Sequence, residues 1–516
     1  MHVKILLDPS RLRRWHVRLV ESLASIPGTT VAVRFVAGPP GDPAAMLLLR
    51  LEAIVSGLPA GAPAEPVAIE DLTVAADDGT PADLVLDIVG ALNGGGRENG
   101  HVLALRCNGA PVDDGALSAV LARAAAVVTL EDAGAVGDPP LSAWRVGVEE
   151  EAVAIRAVGT ILGRALQLAV LATAAVTEGR PLAALDLATV GPAEIGEAAP
   201  RSAGRAWTYA RQSVALRIRR RIDRLLKTAP RWSTGLRRAA PFRHGLPDLS
   251  AAPFARLSDD GRRFYADPFV TRRDGVAHLF VEEFPFSTGK GVISAATVAD
   301  DGRVSTPRAV LETDCHLSYP YLLDLDGVMH MIPETSGRQT VELWRAASFP
   351  DRWEQRAILL TGVDLSDATV VRVPEGWMML AASRAWGCST WDTLDAFFAE
   401  DILGPWRPLA GNPVQVDVTS VRPAGAVFGA PGRLIRPVQD CGSRYGAGLA
   451  FAAIDRLGPS GVREKIIQRT IPDPPLLGLH SYNRDGGFEV VDVFGKARSA
   501  SFDLSAGRME PGTSEP

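Results

Sequence analysis

Five stretches in the second half of the chain share one pattern, and that repeat constrains the fold more than any other feature. Each has a short polar head, an apolar run, a turn containing glycine, and a second apolar run. The stretches start at Tyr265, Leu317, Ser366, Val421 and Gly478, and their turns hold Gly275, Gly327, Gly376, Gly432 and Gly486. Starts fall roughly 50 residues apart, the period of four-stranded propeller blades. Residues 245–500 are therefore predicted to form a five-bladed β-propeller, with 501–516 as a disordered tail.

That organisation locates a site. A blade runs its first strand along the central channel and returns antiparallel, so the start of strand one and the end of strand two open at the same mouth. Strand-one heads supply Asp267, His316, Tyr319, Asp367, Arg422 and His480. Strand-two ends supply Glu282, Glu283, Glu334, Gln439, Asp440 and Asp492. Carboxylates from several blades would thus converge without being adjacent in sequence. Two acids can split a glycosidic bond by acid–base chemistry. Asp267 and Asp367, at equivalent blade positions, and Glu334 are the acids weighed for that site, and the resemblance given below makes them the catalytic candidates. The binding candidates are Tyr265, Glu283, His316, Tyr319, Arg422, Arg436, Asp440, Arg444, His480 and Asn483. Carboxylates and amides bond sugar hydroxyls, rings stack on sugar faces, and Arg422, Arg436 and Arg444 suit a phosphate or carboxylate. Strand alternation sends one of Glu282 and Glu283 inward and leaves open which. Asp267 and Asp367 also read as turn caps, and His316 and His480 as core histidines. Tryptophans from Trp344 to Trp406 are expected to pack between blades.

The first part of the chain reads differently. Val3 to Leu7, Thr30 to Val36, Asp83 to Val89 and His101 to Leu105 are strand-like; Ser10 to Leu23, Ala44 to Val55 and Asp114 to Val127 are helical. Alternation of this kind predicts a small Rossmann-like α/β domain over 1–150. Gly94, Gly95 and Gly96 are not followed by a helix-opening GxGxxG, and no GxxxxGK[ST] occurs. The triplet therefore reads as a loop rather than a phosphate cradle. Residues 151–244 form a helical connector. Within it, 203–227 places Trp207, Ala210, Val214, Ile218, Ile222 and Leu225 at helical spacing beside many arginines and one acid, Asp223. Such a helix lies on an anionic membrane or packs its apolar face between domains; the second reading is preferred.

Composition narrows the classes. With 516 residues, 47% hydrophobic and 22% charged, the chain is long enough for several packed domains and is not disordered in bulk. A net charge of −6 argues against nucleic acid as partner. Cys107, Cys315, Cys388 and Cys441 are far apart with no CxxC, which fits reduced thiols in the cytoplasm and supplies no zinc site. The first residues have only a short apolar stretch before Asp8, so no secretory leader is expected, and the longest apolar stretch, Leu166 to Val176, reads as too short for a bilayer. No metal and no cofactor is expected.

The motifs also carry a resemblance. YADPF at Tyr265, EEF at Glu282, TGKG at Thr288, HLSYPY at His316 and PETS at Pro333 form one set. FPDRW at Phe349, DAT at Asp367, RPAG at Arg422, RPVQDC at Arg436 and GLHSYN at Gly478 complete it. Together these resemble the N-terminal propeller domain of plant glucosamine inositolphosphorylceramide transferases and bacterial relatives, over about 230–496. More distantly the design is similar to invertase-like and arabinanase-like glycoside hydrolases, which place an Asp on the first and third blades, matching Asp267 and Asp367. Their acid Glu comes from another blade than that of Glu334. The resemblance implies a sugar or glycolipid substrate. Transfer is preferred over hydrolysis because glycan-cleaving propellers are mostly exported and no export signal is expected here; a glycoside hydrolase and a non-catalytic glycan-binding propeller are the alternatives. Residues 1–150 weakly resemble a formyltransferase fold, without its HxSLLP-type catalytic segment.

Overall fold

The computed structural model describes residues 1–59, 61–92, 100–135, 138–182, 190, 194–197, 203–225, 229–430, 432–496 and 499–510. Gly94, Gly95 and Gly96 lie outside them. The chain divides into two compact units, Met1–Leu225 with Ala385–Ser389, and Leu226–Arg384 with Thr390–Pro516.

The first unit is built on one mixed sheet. Ala75–Ala76, Thr30–Phe35, His2–Leu7, Leu84–Asp87 and His101–Cys107 are parallel neighbours in that order; Ala126–Asp132 and Ser142–Val146 extend the sheet antiparallel. The near-continuous burial of His2–Leu7 and Leu84–Asp87 fits strands covered on both faces. The helices are α1 (Arg14–Ala24), α2 (Pro43–Ser56), α3 (Val112–Ala122), α4 (Ala154–Thr177) and α5 (Ala203–Leu225). The helix expected to run to Val127 stops earlier. Arg123 adopts a left-handed φ of +51° that ends α3, and the following apolar run enters the sheet as a buried strand. The stretch judged too short for a bilayer belongs to a longer helix: α4 has 24 residues and is long and apolar enough to cross one, with 78% of its most apolar window buried in the fold. It packs against α1, α2 and α3.

The second unit is the five-bladed propeller. Blade 1 comprises Arg263–Arg273, Val276–Pro285, Val292–Val298 and Arg308–Leu311; blade 2, Ser318–Leu325, Val328–Thr335, Thr340–Ser348 and Arg352–Thr361. Blade 3 comprises Leu365–Val373, Gly376–Ser383 and Thr393–Ala399, with Arg407–Pro408 and Gln415–Val416 on its edge. Blade 4 comprises Phe428–Ala430, Arg433–Asp440, Gly448–Gly458 and Gly461–Thr470. Blade 5 closes the ring: Leu476–Asp485 and Phe488–Gly495 pair with Arg231–Arg238 and Phe254–Arg256 from the start of the unit, in register Val490↔Leu236. Two boundaries differ from the sequence reading. Arg231–Arg238 is a ring-closing strand rather than connector, because the last blade needs partners from the start of the unit. The tail is also partly ordered: Ser501–Phe502 pairs with Phe254 and Ala255, and Arg508–Met509 with Gln468 and Arg469.

Candidate functional site

Asp267, Tyr319 and Asp367 occupy the same place in blades 1, 2 and 3. In each the first strand slips register against the second, between Ala266 and Phe269, Ser318 and Tyr321, and Ser366 and Thr369. The three residues have φ of +47°, +45° and +57°. A non-glycine residue held there costs roughly 1–3 kcal/mol, and the bulge breaks strand alternation at that point. Blade 5 slips between Leu479 and Ser481, around His480.

These bulges bring side chains from all five blades together. The Asp267 N–H donates to Asp492 Oδ2 at 2.9 Å, and Asp267 Oδ2 accepts from the Tyr319 N–H at 3.2 Å. Asp267 Oδ1 lies 3.6 Å from His480 Nε2. Asp492 Oδ1 sits 2.6 Å from His480 Nδ1 and accepts the N–H groups of His480 and Ser481 at 3.2 and 3.0 Å. From blade 4, Arg422 Nε donates to Asp367 Oδ2 at 2.6 Å and Nη1 to Thr390 Oγ1 at 2.7 Å; Nη2 is 3.9 Å from Glu334 Oε2. Gln439 Nε2 reaches Asp367 Oδ2 at 3.3 Å and the Pro423 carbonyl at 2.9 Å. Glu334 Oε1 accepts from Ser336, whereas its buried Oε2 has no hydrogen-bond partner. Glu282 Oε1 lies 3.4 Å from His316 Nε2. His316 Nδ1 accepts the Gly291 N–H at 2.9 Å, so a neutral His316 turns its Nε2 proton toward Glu282.

Aromatic rings flank His480 and Arg422. Trp232 stacks on His480 at 3.8 Å, Tyr445 stands edge-on to His480 at 5.2 Å, and Trp391 is 5.7 Å from Tyr445. The Arg422 guanidinium lies 5.1 Å from the Tyr445 ring centre, in cation–π range.

Charge in this cluster does not cancel. Asp267, Glu282, Glu334, Asp367 and Asp492 face two strong cationic partners, Arg422 and His480. Burial pushes Asp267 up to about 6 against the pull of His480, with Asp492 adding to the rise. Burial pushes Asp367 up to about 8 despite Arg422, with Glu334 and Asp267 contributing. Glu282 rises well above the carboxylate range through burial, then through Asp267, Glu334, Asp492 and Asp367. For His480 burial works downward, but Asp492 and Asp267 more than offset it and the imidazole holds its proton more tightly. The cluster therefore retains carboxyl protons near neutrality, which equips it to donate one. Asp267, His480 and Asp492 each offer one possible metal-ligand atom within 4.8 Å of the others, all three being hydrogen-bonded or paired among themselves.

The structure thus brings together Asp267, Asp367, Glu334, Arg422, His480 and His316. It separates others. Glu282 points to the cluster and Glu283 to the opposite face of its strand, where it accepts from Ser294 and pairs with Arg263. Tyr265 packs in an apolar core with Leu236, Val270 and Val490. Arg436 is fully buried against Glu464, and Asp440 pairs with Arg469. Asn483 staples the Pro268 carbonyl to the Ala426 N–H, a structural task. The Tyr319 ring lies in the core with its hydroxyl on Thr369, and its backbone N–H alone serves Asp267. Arg444 is exposed in the loop after Arg433–Asp440. Sequence reading passed over Trp232, Trp391 and Tyr445. Trp232 was hidden by placing the propeller's start at 245, and Trp391 among the tryptophans assigned to packing. The loop carrying Tyr445 offers no repeat signal.

Fold and site define a five-bladed propeller with an acid-rich buried cluster fed by every blade. Residues 249–482 match the family model described as Glucosamine inositolphosphorylceramide transferase 1, N-terminal. Glucosamine inositolphosphorylceramide transferase 1 of Arabidopsis thaliana is 31% identical over 223 residues, covering 42% of this chain and 29% of that protein. The protein of the same name from Oryza sativa subsp. japonica is 29% identical over 205 residues, 39% of this chain and 27% of its own length. The chain thus spans less than a third of these curated relatives. Solved structures with a similar arrangement include a GH43 β-1,3-galactosidase (16% identity, TM-score 0.31, 39% of this chain and 44% of that one). Another is an α-L-arabinofuranosidase from Podospora anserina (10% identity, TM-score 0.35, 54% and 98%).

Proposed function

We propose that the propeller is a carbohydrate-active module that recognises the sugar of a glycan or glycolipid and acts on its glycosidic bond. One observation carries this reading: carboxylates from separate blades share one buried place with too few cations to neutralise them. Glu334 and Asp367 both face the Arg422 guanidinium, at 3.9 and 2.6 Å. Those distances plus the guanidinium's width cap their separation at about 9 Å, within the roughly 6.5–9.5 Å or less that glycosidic acid pairs use. In this reading Glu334 passes to the leaving oxygen a proton held in the cluster, which leaves Asp367 and Asp267 ionised to act as base and stabiliser, and Glu282 holds a second proton in reserve. Trp232, Tyr445 and Trp391 offer apolar ring faces to a sugar.

Transfer is preferred over hydrolysis because the relatives matched by the propeller are named as transferases. A phosphate on the substrate would meet Arg444, since Arg436 is committed to Glu464 and Arg422 to Asp367. A cytoplasmic setting belongs to the same proposal.

The test incubates the whole chain with inositolphosphorylceramide, with and without its glucosamine, and with an activated glucosamine donor. Products are followed by mass spectrometry and binding by calorimetry. Asp267→Asn and Asp367→Asn are each expected to lower turnover about 10²–10⁴-fold with glycan binding retained. Unchanged turnover in both variants overturns the mechanism. Glycan binding without turnover in the unmodified chain leaves a non-catalytic binding propeller in its place.

A further inference from the structure

The outer surface of α2 and α5 carries chemistry that the propeller site does not use. α5 buries Ala206, Tyr209 and Ser213, and turns Trp207, Val214, Ile218, Ile222 and Leu225 outward at exposures between 48% and 75%. The rest of its own unit therefore leaves this apolar stripe uncovered. At 3.6 residues per turn these five fall on one stripe about 80° wide. α2 lies beside α5, with Glu52 Oε1 3.7 Å from Arg217 Nη2. It exposes Leu47, Leu51, Ile54 and Val55, again a single helical stripe. These nine side chains are half of the eighteen large apolar side chains exposed among the described residues. Scattered exposure is ordinary; concentration on two neighbouring helices marks an interaction face.

Charge selects the occupant. α5 carries seven arginines and one acid, Asp223. Helical spacing sets Arg211 within the apolar stripe's sector and Arg221 at its edge, both exposed. We propose that the α2–α5 face docks on the surface of an anionic lipid bilayer. The apolar stripes enter the boundary between headgroups and acyl chains, and the arginines reach the lipid phosphates. A second copy of this chain fits poorly, because it would set one arginine-rich helix against another. This proposal stands apart from the carbohydrate reading and survives its failure.

The experiment is flotation of the full chain with vesicles of phosphatidylcholine alone and with about a third phosphatidylglycerol. Two double variants are compared with the unmodified chain, Ile54→Glu with Ile218→Glu, and Arg211→Glu with Arg221→Glu. All four positions are solvent-facing, and circular dichroism verifies that the variants fold. The unmodified chain is expected to float with the anionic vesicles and not the neutral ones, less so as salt rises. The arginine variant should bind at least about 30-fold more weakly, and the apolar variant should lose comparable affinity. Failure to float with anionic vesicles overturns the proposal, as does equal binding by both variants. So does a self-association, seen by sedimentation velocity, that the variants abolish while vesicles go unbound.

Discussion

Two buried polar clusters in this protein are made of the same residue types and behave oppositely. In the α/β unit, Asp113 opens α3 and is held by His16 Nε2 at 3.3 Å, Arg13 Nε at 3.4 Å and Trp15 Nε1 at 3.3 Å; Asp114 pairs with Arg11. Burial pushes Asp113 up, but His16, Arg13 and Arg11 overcome it and keep the carboxyl below its ordinary range. The helix N-terminus favours the same charge state. In the propeller, five carboxylates share Arg422 and His480, and Asp267, Asp367 and Glu282 are all pushed upward. Acids matched by cations brace a fold. Acids that outnumber their cations cost stability and persist where chemistry uses them.

The sharpest way to break this comparison is to remove one cation from each cluster. Arg422→Ala strands Asp367 beside Glu334 in a buried site, and a loss of about 3–5 kcal/mol is expected in denaturant unfolding. Arg11→Ala should cost clearly less, because Asp114 sits in the first turn of a helix and Arg13 remains nearby. Equal losses would mean that the two clusters are equally balanced.

The pH response should differ in sign. Asp267 and Asp367 have folded values of about 6 and about 8 against an ordinary 3.8. From about pH 4 to 8 the folded propeller keeps protons that the unfolded chain has released, so its stability falls as pH rises. Each unit is worth about 1.4 kcal/mol. His480 is also raised, so its stabilisation, full below the ordinary histidine value, is lost as pH climbs through the folded value. Asp113, held low, stabilises above the ordinary carboxylate value and loses that contribution on acidification. Segment-resolved hydrogen exchange is expected to show propeller protection declining from about pH 4 to 8 and the α1–α3 region declining only in acid. Glu282→Gln should flatten the propeller's slope; an unchanged slope would remove Glu282 as a proton holder.

Much of this was legible in the sequence, for a specific reason. Blade heads such as ADPF, SYPY and SDAT recur because each must form the same bulge, so Asp267, Tyr319 and Asp367 could be aligned before any coordinates. What a repeat does not encode is which face a neighbouring residue takes. Glu282 and Glu283 differ by one step of alternation, and the strand Arg263–Arg273 slips register opposite them. Arg436 and Asp440 sit at site-like positions yet find Glu464 and Arg469 two strands away in their own blade, on Gly461–Thr470, pairings that depend on register rather than motif. Trp232 escaped because ring closure draws on residues far from the repeats in sequence.

A smaller effect probes how tightly the cluster is enclosed. A Cβ on Gly291 would meet the Leu317 carbonyl at 2.5 Å, His316 Cε1 at 2.7 Å and Glu282 Oε1 at 2.9 Å. Gly291→Ala must therefore displace His316 from its backbone donor or move Glu282, at a cost of about 1–3 kcal/mol. Glycines with nothing near the added atom, such as Gly302, separate this effect from backbone conformation only in part, since Gly302 has φ +87° and Gly291 does not require a positive φ. The cleaner control is the histidine signal itself: its NMR titration should shift in Gly291→Ala.

The smallest expected effect on stability is the most discriminating. Glu334 is nearly buried, yet its Oε2 accepts no hydrogen bond and lies 3.9 Å from the nearest guanidinium nitrogen. Its charge also raises Asp267, Asp367 and Glu282. Glu334→Gln keeps the shape and removes a negative charge from an over-acidic cluster, so unfolding should change by less than about 1 kcal/mol or move toward greater stability. In the self-satisfied cluster the matching change, Asp113→Asn, removes the charge that His16 and Arg13 hold and should destabilise. If Glu334→Gln costs as much as Asp113→Asn, Glu334 is a structural acid and the proton-donor role passes to Glu282. If it stabilises while glycan turnover falls, the unsatisfied oxygen marks the position the substrate fills.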